Sequence, residues 1–171
     1  MRLRLLVLMP IWHAGFEGRW CRLVQILRRR NYEVTFGVLT DAMNARRELV
    51  LPGLPEAELL RAPLAGAGAT PIRSLREVYR QLLRADVVIG GMGKALDLVY
   101  GLVRRSGRPF IQCNDVGDQL MYAQGADLFA VPGAFFKTLL VRIRGVPAER
   151  VAVTGDLRFD AFPAAGDDPG Q

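Results

Sequence analysis

His13 is the only histidine in 171 residues, and it sits in the stretch PIWHAGFEG at residues 10–18, directly after an apolar run at residues 3–9. A neutral imidazole, with a free pKa near about 6.5, suits taking a proton from a hydroxyl group at neutral pH. A strand at residues 3–9 would open this loop at its carboxyl edge, where α/β sheets meet their ligands. The alternative is a loop histidine with no catalytic role. Gly15, Glu17 and Gly18 share the loop. Glycines ahead of a helix let backbone N–H groups approach an anion, and a plain turn accounts for them equally well. The second candidate is Asp115, in CNDVGDQ at residues 113–119, as a base or as a ligand for a hydroxyl. A helix N-cap is its alternative role. Asn114 and Asp118 flank it as polar groups that could bind substrate.

Two further loops belong with these. GGMGK, residues 90–94, lacks the spacing of a nucleoside-triphosphate phosphate loop, and Ala95 stands where the magnesium-binding hydroxyl would be. What remains is a glycine-rich strand-to-helix turn with Gly91 lining a cleft and Lys94 offered to an anionic substrate. Pro132 and Gly133 turn the chain between a strand and a helix. HAGFEG is not the dinucleotide G-x-G-x-x-G, and Thr40-Asp41 is the nearest approach to an acidic end for the second strand. Neither a metal nor an organic cofactor is implied. Cys21 and Cys113 are too few for a disulfide scaffold and have no metal-ligand spacing around them, which points to a reducing, cytoplasmic setting.

These loops need rigid elements to hold them, and the apolar periodicity supplies them. Strands are expected at residues 3–9, 32–40, 86–89, 109–112, 127–131 and 151–154, with a short one at 58–62. Helices are expected at 19–30, with Trp20, Leu23, Val24 and Leu27 inward, and at 41–49, capped by Asp41. A third begins at Thr70-Pro71, a capping residue followed by proline at the first helical position, and turns Ile72, Leu75, Tyr79, Leu82 and Leu83 inward. A fourth, at 92–106, turns Ala95, Leu96, Val99, Leu102 and Val103 inward and ends at Gly107. A short helix runs through Gln124. The last, at 134–144, carries Phe135, Phe136, Leu139, Leu140 and Ile143 on one stripe, with Arg142 and Arg144 in its final turn and Gly145 as its stop. Alternation of strands and helices predicts a single doubly wound, Rossmann-like α/β domain over residues 1–160, with a mostly parallel sheet of six or seven strands. Residues 161–171 have no periodicity and read as a linker or disordered tail.

Half the residues are apolar and 23% are charged, a balance that suits a packed core. The net charge is +6, carried by arginine clusters at 28–30, at 46 and 47, at 104, 105 and 108, and at 142 and 144. Such a balance favours anionic partners: nucleotides, phospholipid surfaces or nucleic acid. Helix ends and solvated faces account for most of these arginines, and no aromatic-rich basic motif of an RNA-binding fold is present. Arg2 and Arg4 precede a short apolar run in the manner of a signal peptide, but Pro10 interrupts the run and no A-x-A-like cleavage site follows.

The stretch GVPAERVAVTGDLRFDAF, residues 145–162, carries a resemblance. Gly145, Val146, Arg150, Val151, Val153, Thr154, Gly155 and Asp160 resemble the run that ends the N-terminal domain in glycosyltransferases of the two-Rossmann-domain (GT-B) type. The resemblance is closest to UDP-N-acetylglucosamine 2-epimerases and to CDP-glycerol glycerophosphotransferase-like enzymes. It implies the acceptor-side domain of a nucleotide-sugar-dependent glycosyltransferase, with a base here activating an acceptor hydroxyl. Several such enzymes place a histidine base in the first loop, which makes His13 the corresponding candidate. The nucleotide-sugar donor would bind mainly in a second domain beyond this chain, so the chain by itself is expected to be a fragment without turnover. Its partners would be that donor and a sugar, polyol or lipid-linked acceptor of cell-envelope polysaccharide. Peripheral contact with an anionic inner-membrane face is a further expectation, and no nucleic acid is expected. CNDVGDQ departs from both the E-A-G-L-R-type run of the epimerases and the W-H-G-type run of the glycerophosphotransferases. An epimerase-like fragment and a non-catalytic α/β module binding through its arginines are the alternatives.

Overall fold

The apolar run after Arg4 can be buried on both faces only at the centre of a parallel sheet, and it is found there. In a computed structural model that describes residues 2–9, 17–48, 54–57, 63–91, 97–113 and 125–155, β1 (Arg4–Met9) buries every residue from Leu5 onward. β2 (Glu33–Leu39), β3 (Ala69–Ile72), β4 (Val87–Gly90), β5 (Phe110–Cys113), β6 (Leu128–Val131) and β7 (Val151–Val153) complete one seven-stranded sheet in the order β3-β2-β1-β4-β5-β6-β7. Every pairing is parallel. The third strand lies at Ala69–Ile72, and the stretch expected for it, 58–62, is outside the described residues.

The helices divide between the two faces. α1 (Glu17–Arg29) packs Trp20, Cys21 and Val24 with Leu5, Val7 and Met9 of β1 and Phe36 and Val38 of β2. α3 (Leu75–Arg84), α4 (Asp97–Arg105) and α5 (Ala134–Arg144) cover the opposite face, around Leu6, Leu8, Val88, Phe110, Phe129 and Val151. α2 (Ala42–Ala45) is a single turn that buries Met43. The short helix expected through Gln124 lies outside the described residues.

Several helix boundaries depart from the periodicity. Thr70 and Pro71 belong to β3, not to a helix. β3 is an edge strand, where the missing N–H of a proline is tolerated. α3 starts five residues later, behind Ser74, whose Oγ accepts from Glu77 N at 3.3 Å. Glu77 in turn accepts from Arg73 N at 2.6 Å, and Glu48 accepts from Leu75 N at 3.0 Å. Two of the backbone donors that a helix start leaves open, Leu75 N and Glu77 N, are thereby satisfied, and Arg73 N is held just ahead of the cap. Asp41 makes no side-chain capping bond to α2, because its own backbone is already helical; a capping residue needs extended geometry to reach back. Asn31 (φ 68°) and Gly145 (φ 64°) end α1 and α5 in the left-handed conformation, as helix stops require.

Candidate functional site

The strand order fixes where a ligand-sized crevice belongs. From β1 the chain crosses to β2 and β3 on one side, then returns past β1 to β4 and proceeds the other way. The crossovers therefore diverge between β1 and β4, and the carboxyl ends of those strands flank the crevice. Leu8 pairs with Gly90, so the two strands end level with one another. Met9 ends β1, while Gly90 ends β4 and is followed by a buried Gly91.

Gly90 is tightly bounded by what lies beside it. A Cβ there would sit 3.2 Å from the Tyr100 hydroxyl oxygen and 3.3 Å from Leu8 O. Tyr100, from α4, is itself buried and stacks on Phe110 with ring centroids 5.1 Å apart. Burial, with Cys113 adding to it, holds the phenol well above its ordinary pKa, so it stays protonated. A neutral phenol thus forms the floor beneath the end of β4. Tyr100 was missing from the inward stripe expected for this helix. The buried residues of α4 are Val99, Tyr100 and Val103, while Leu102 is only half-buried.

The opposite ends of the same strands are clamped. Arg4 Nη2 meets Asp86 Oδ1 at 2.7 Å, Arg4 Nε meets Asp86 Oδ2 at 3.1 Å, and the Arg4 backbone N–H donates to Asp86 Oδ2 at 2.9 Å. Asp86 N then donates to Arg4 O at 2.8 Å. Hydrogen bonds from the Arg4 side chain and then from its backbone hold the Asp86 carboxyl down at about 2. Asp127 repeats the device between β5 and β6, accepting from Phe110 N at 2.8 Å and donating to Phe110 O at 2.9 Å. Each aspartate follows an alanine just before an apolar strand, in ADVVIG and ADLFAV. That spelling was the available signal. Both clamps sit at the amino edge, away from the crevice.

Of the residues singled out from the sequence, Gly91, Gly18, Pro132 and Gly133 lie at the carboxyl edge among the described residues. Glu17 and Gly18 begin α1 instead of ending the loop before it. Gly18 and Gly133 have open space where a Cβ would be, so neither marks a close approach by backbone. Gly133 is the N-cap of α5 in an extended conformation, and its carbonyl accepts from Lys137 N at 3.2 Å. His13, Gly15, Lys94, Asn114, Asp115 and Asp118 lie outside the described residues. Among the described residues no cluster of histidine, cysteine and acidic groups could hold a metal, and no helix is long and apolar enough to cross a membrane.

No family model matches the sequence, and no curated protein matches it. Solved structures do match in fold. The UDP-N-acetylglucosamine 2-epimerase of Rickettsia bellii superposes over 95% of this chain and 48% of its own, with a TM-score of 0.59 and 13% identity. MurG of Acinetobacter baumannii superposes over 90% of this chain and 45% of its own, with a TM-score of 0.53 and 16% identity. The chain thus spans about half the length of either protein.

Proposed function

Starting from a GT-B-like domain with a seven-stranded parallel sheet, we propose that this chain is the acceptor-side domain of a nucleotide-sugar-dependent glycosyltransferase. The observation that carries the reading is the divergence of crossovers between β1 and β4 in a sheet of this class, with the loops after Met9 and Gly91 leaving its carboxyl edge. Residues 1–160 form the domain, and 161–171 lead toward a donor-binding domain. Transfer would displace the nucleotide at the sugar's anomeric carbon, while a base on this side takes the proton of the attacking hydroxyl. His13 is the first candidate for that base and Asp115 the second. The acceptor is a sugar, a polyol or a lipid-linked hydroxyl compound of the cell envelope, met on the cytoplasmic side. An epimerase-like fragment of the same fold has one observation in its favour, the superposition on the Rickettsia enzyme. The departure of CNDVGDQ from the epimerase run weighs against it.

Amide chemical shifts of the 171-residue protein, titrated with a panel of sugars and polyols and with a UDP-sugar, test the reading. Acceptor-type ligands are expected to move the amides of Met9, Gly18, Gly91 and Gly133 together, without UDP release. Shifts confined to the amino edge, or none with any ligand of the panel, would remove the acceptor-side assignment. Turnover of the UDP-sugar by this chain alone would show that no donor domain is needed.

A further inference from the structure

Residues 54–57 lie past the end of β1, and hydrogen-bond parity shows which side of β2 they take. In a strand the N–H and C=O of one residue point to the same side, and successive residues alternate. Glu33 N donates to Leu3 O at 3.1 Å, so the odd-numbered residues of β2 face β1. Thr40 N donates to Ile72 O at 3.0 Å, so the even-numbered ones face β3. Leu54 N donates to Leu39 O at 3.2 Å, and Asp41 N donates to Leu54 O at 3.1 Å. Both partners are odd-numbered, so Leu54 stands on the β1 side, in a parallel bridge to Thr40. Met9 pairs with Val38, two residues before Thr40. Leu54 therefore takes the place in the β1 row two residues past the end of that strand. At a rise of about 3.3 Å per residue, it stands about 7 Å beyond Met9. β4 is the next row, about 4.8 Å away, and Gly90 ends it. Residues 54–57 thus rise beside the crevice between β1 and β4.

Two further ties hold these residues from behind. The half-buried Leu54 side chain packs against the core on the α1 face of the sheet. Arg73, the first residue after β3, grips Glu56 with both arms of its fork: Nε donates to Oε1 at 2.6 Å and Nη2 to Oε2 at 3.0 Å. Such a bidentate pair fixes direction as well as distance. Arg73 N also donates to Glu77 Oε2 at 2.6 Å, which roots the arginine at the start of α3. Pro55 and Ala57 stay exposed. The ion pair is itself open to solvent, so it adds little to global stability; what it specifies is where residues 54–57 stand. We infer that residues 54–57 form the β1-side wall of the crevice, and that Arg73, acting through Glu56, is a positioning residue for the hydroxyl compound that enters there. On the acceptor-side reading, on which this inference rests, such a wall sets how far a sugar or polyol reaches over the end of β1.

The test titrates the 171-residue protein with glycerol, glucose and a disaccharide and follows its amide chemical shifts. A ligand that moves Met9 and Gly91 is expected to move Leu54, Glu56 and Ala57 with them. Arg73→Met removes the fork and keeps the stem. It should weaken that ligand by about two- to fivefold, the range open to an exposed ion pair, with little change in melting temperature. Glu56→Gln should do the same, and the double variant should lose no more than either single one, because both delete one interaction. Glu56→Arg combined with Arg73→Glu should restore part of the affinity. Asp86→Asn, at the opposite edge of the sheet, should lower the melting temperature and leave the affinity as it was. If no ligand moves Met9 or Gly91, the acceptor-side reading fails and the wall falls with it. If a ligand moves both while residues 54–57 stay still, or binds Arg73→Met and Glu56→Gln as tightly as the wild type, the crevice takes acceptors and the wall alone falls. Equal loss of affinity in Asp86→Asn would also overturn it, by reducing the Arg73 effect to lost stability.

Discussion

Gly90 and Asp86 bracket β4 and hold it by opposite means. At the carboxyl end a side chain would be tight, since a Cβ would lie 3.2 Å from the Tyr100 hydroxyl and 3.3 Å from Leu8 O, and both would have to give by a few tenths of an ångström. Gly90→Ala should therefore cost about 1–3 kcal/mol, the usual range for overpacking a tight core, read as a lower denaturant midpoint with an unchanged slope. Tyr100→Phe in the same background should recover part of that loss, because the hydroxyl is the nearest obstacle. At the amino end the strand needs a carboxylate. Asp86 titrates at about 2 in the folded protein, below the ordinary value of about 3.9. A depressed carboxyl contributes stability that is present above the unfolded value and disappears as pH falls through the folded one. The melting-temperature gap between the wild type and Asp86→Asn should accordingly close between about pH 4 and pH 2. A gap that stays constant over that window would mean that the Arg4 contacts are worth the same with a neutral partner. For His13 the expected consequence is kinetic. On the proposed glycosyltransferase reading, in a polypeptide that joins this chain to a donor-binding domain, His13→Ala should lower the rate at saturating substrate by about 10²–10⁴-fold, the usual worth of a general base, with little change in melting temperature. If Asp115→Asn lowers the rate and His13→Ala does not, the base is Asp115.

The start of α3 separates what is legible in a sequence from what is not. Thr70-Pro71 and Ser74-Leu75-Arg76-Glu77 are both well-formed helix starts. Local chemistry does not choose between them. Pairing does: Thr70 and Pro71 lie opposite Gly37 and Val38 of β2, and the sheet claims them first. Ser74→Ala should then cost about 0.5–2 kcal/mol, the usual worth of an N-cap, whereas Thr70→Ala, at an exposed edge position, should stay within about 0.5 kcal/mol. Equal losses at both sites would contradict the placement of the helix start. The same logic explains the stripes. Strands β1 and β4 were legible because a buried parallel strand is apolar almost throughout and needs no phase, and β2, β5, β6 and β7 because their short apolar and β-branched runs are bounded by turn residues. Helices were legible in extent but not in rotation. α3 and α4 have leucines on more than one side, and only packing decides that Val78 and Tyr100 go in while Leu83 and Leu98 stay out. The sequence singled out four loops by the rule that ligands sit off carboxyl ends; of their candidate residues Gly18, Gly91, Pro132 and Gly133 are described at that edge, and His13, Gly15, Lys94, Asn114, Asp115 and Asp118 lie outside the described residues. It did not mark Tyr100, because a tyrosine in an amphipathic helix carries no sign of what it lies under.

Taken as one body, the sheet has a centre and two unequal flanks. β1 is paired along its length with both β2 and β4 and is covered by α1 on one face and by the α3–α4 layer on the other. β7 is three residues long, paired on one side only among the described residues, and half-exposed at Val153. Lys137 Nζ, donating to Val151 O at 2.9 Å, and Thr154 N, donating to Val131 O at 2.9 Å, tie its two ends to α5 and β6. Opening free energies follow such differences in pairing and cover, from near zero at frayed edges to the global value at the centre. Amide hydrogen exchange should therefore be slowest at Leu6, Val7 and Leu8, intermediate across β5 and β6, and fastest among the strands at β7. Removing the Lys137 tie by Lys137→Met keeps the aliphatic stem and deletes the donor, so it should speed exchange in β7 while leaving β1 unchanged. Protection of β7 equal to that of β1 in the wild type would mean that this edge is covered in solution, either by residues beyond 155 or by another chain. Repeating the measurement at high dilution distinguishes the two, because cover from within the chain survives dilution and cover from a second chain does not.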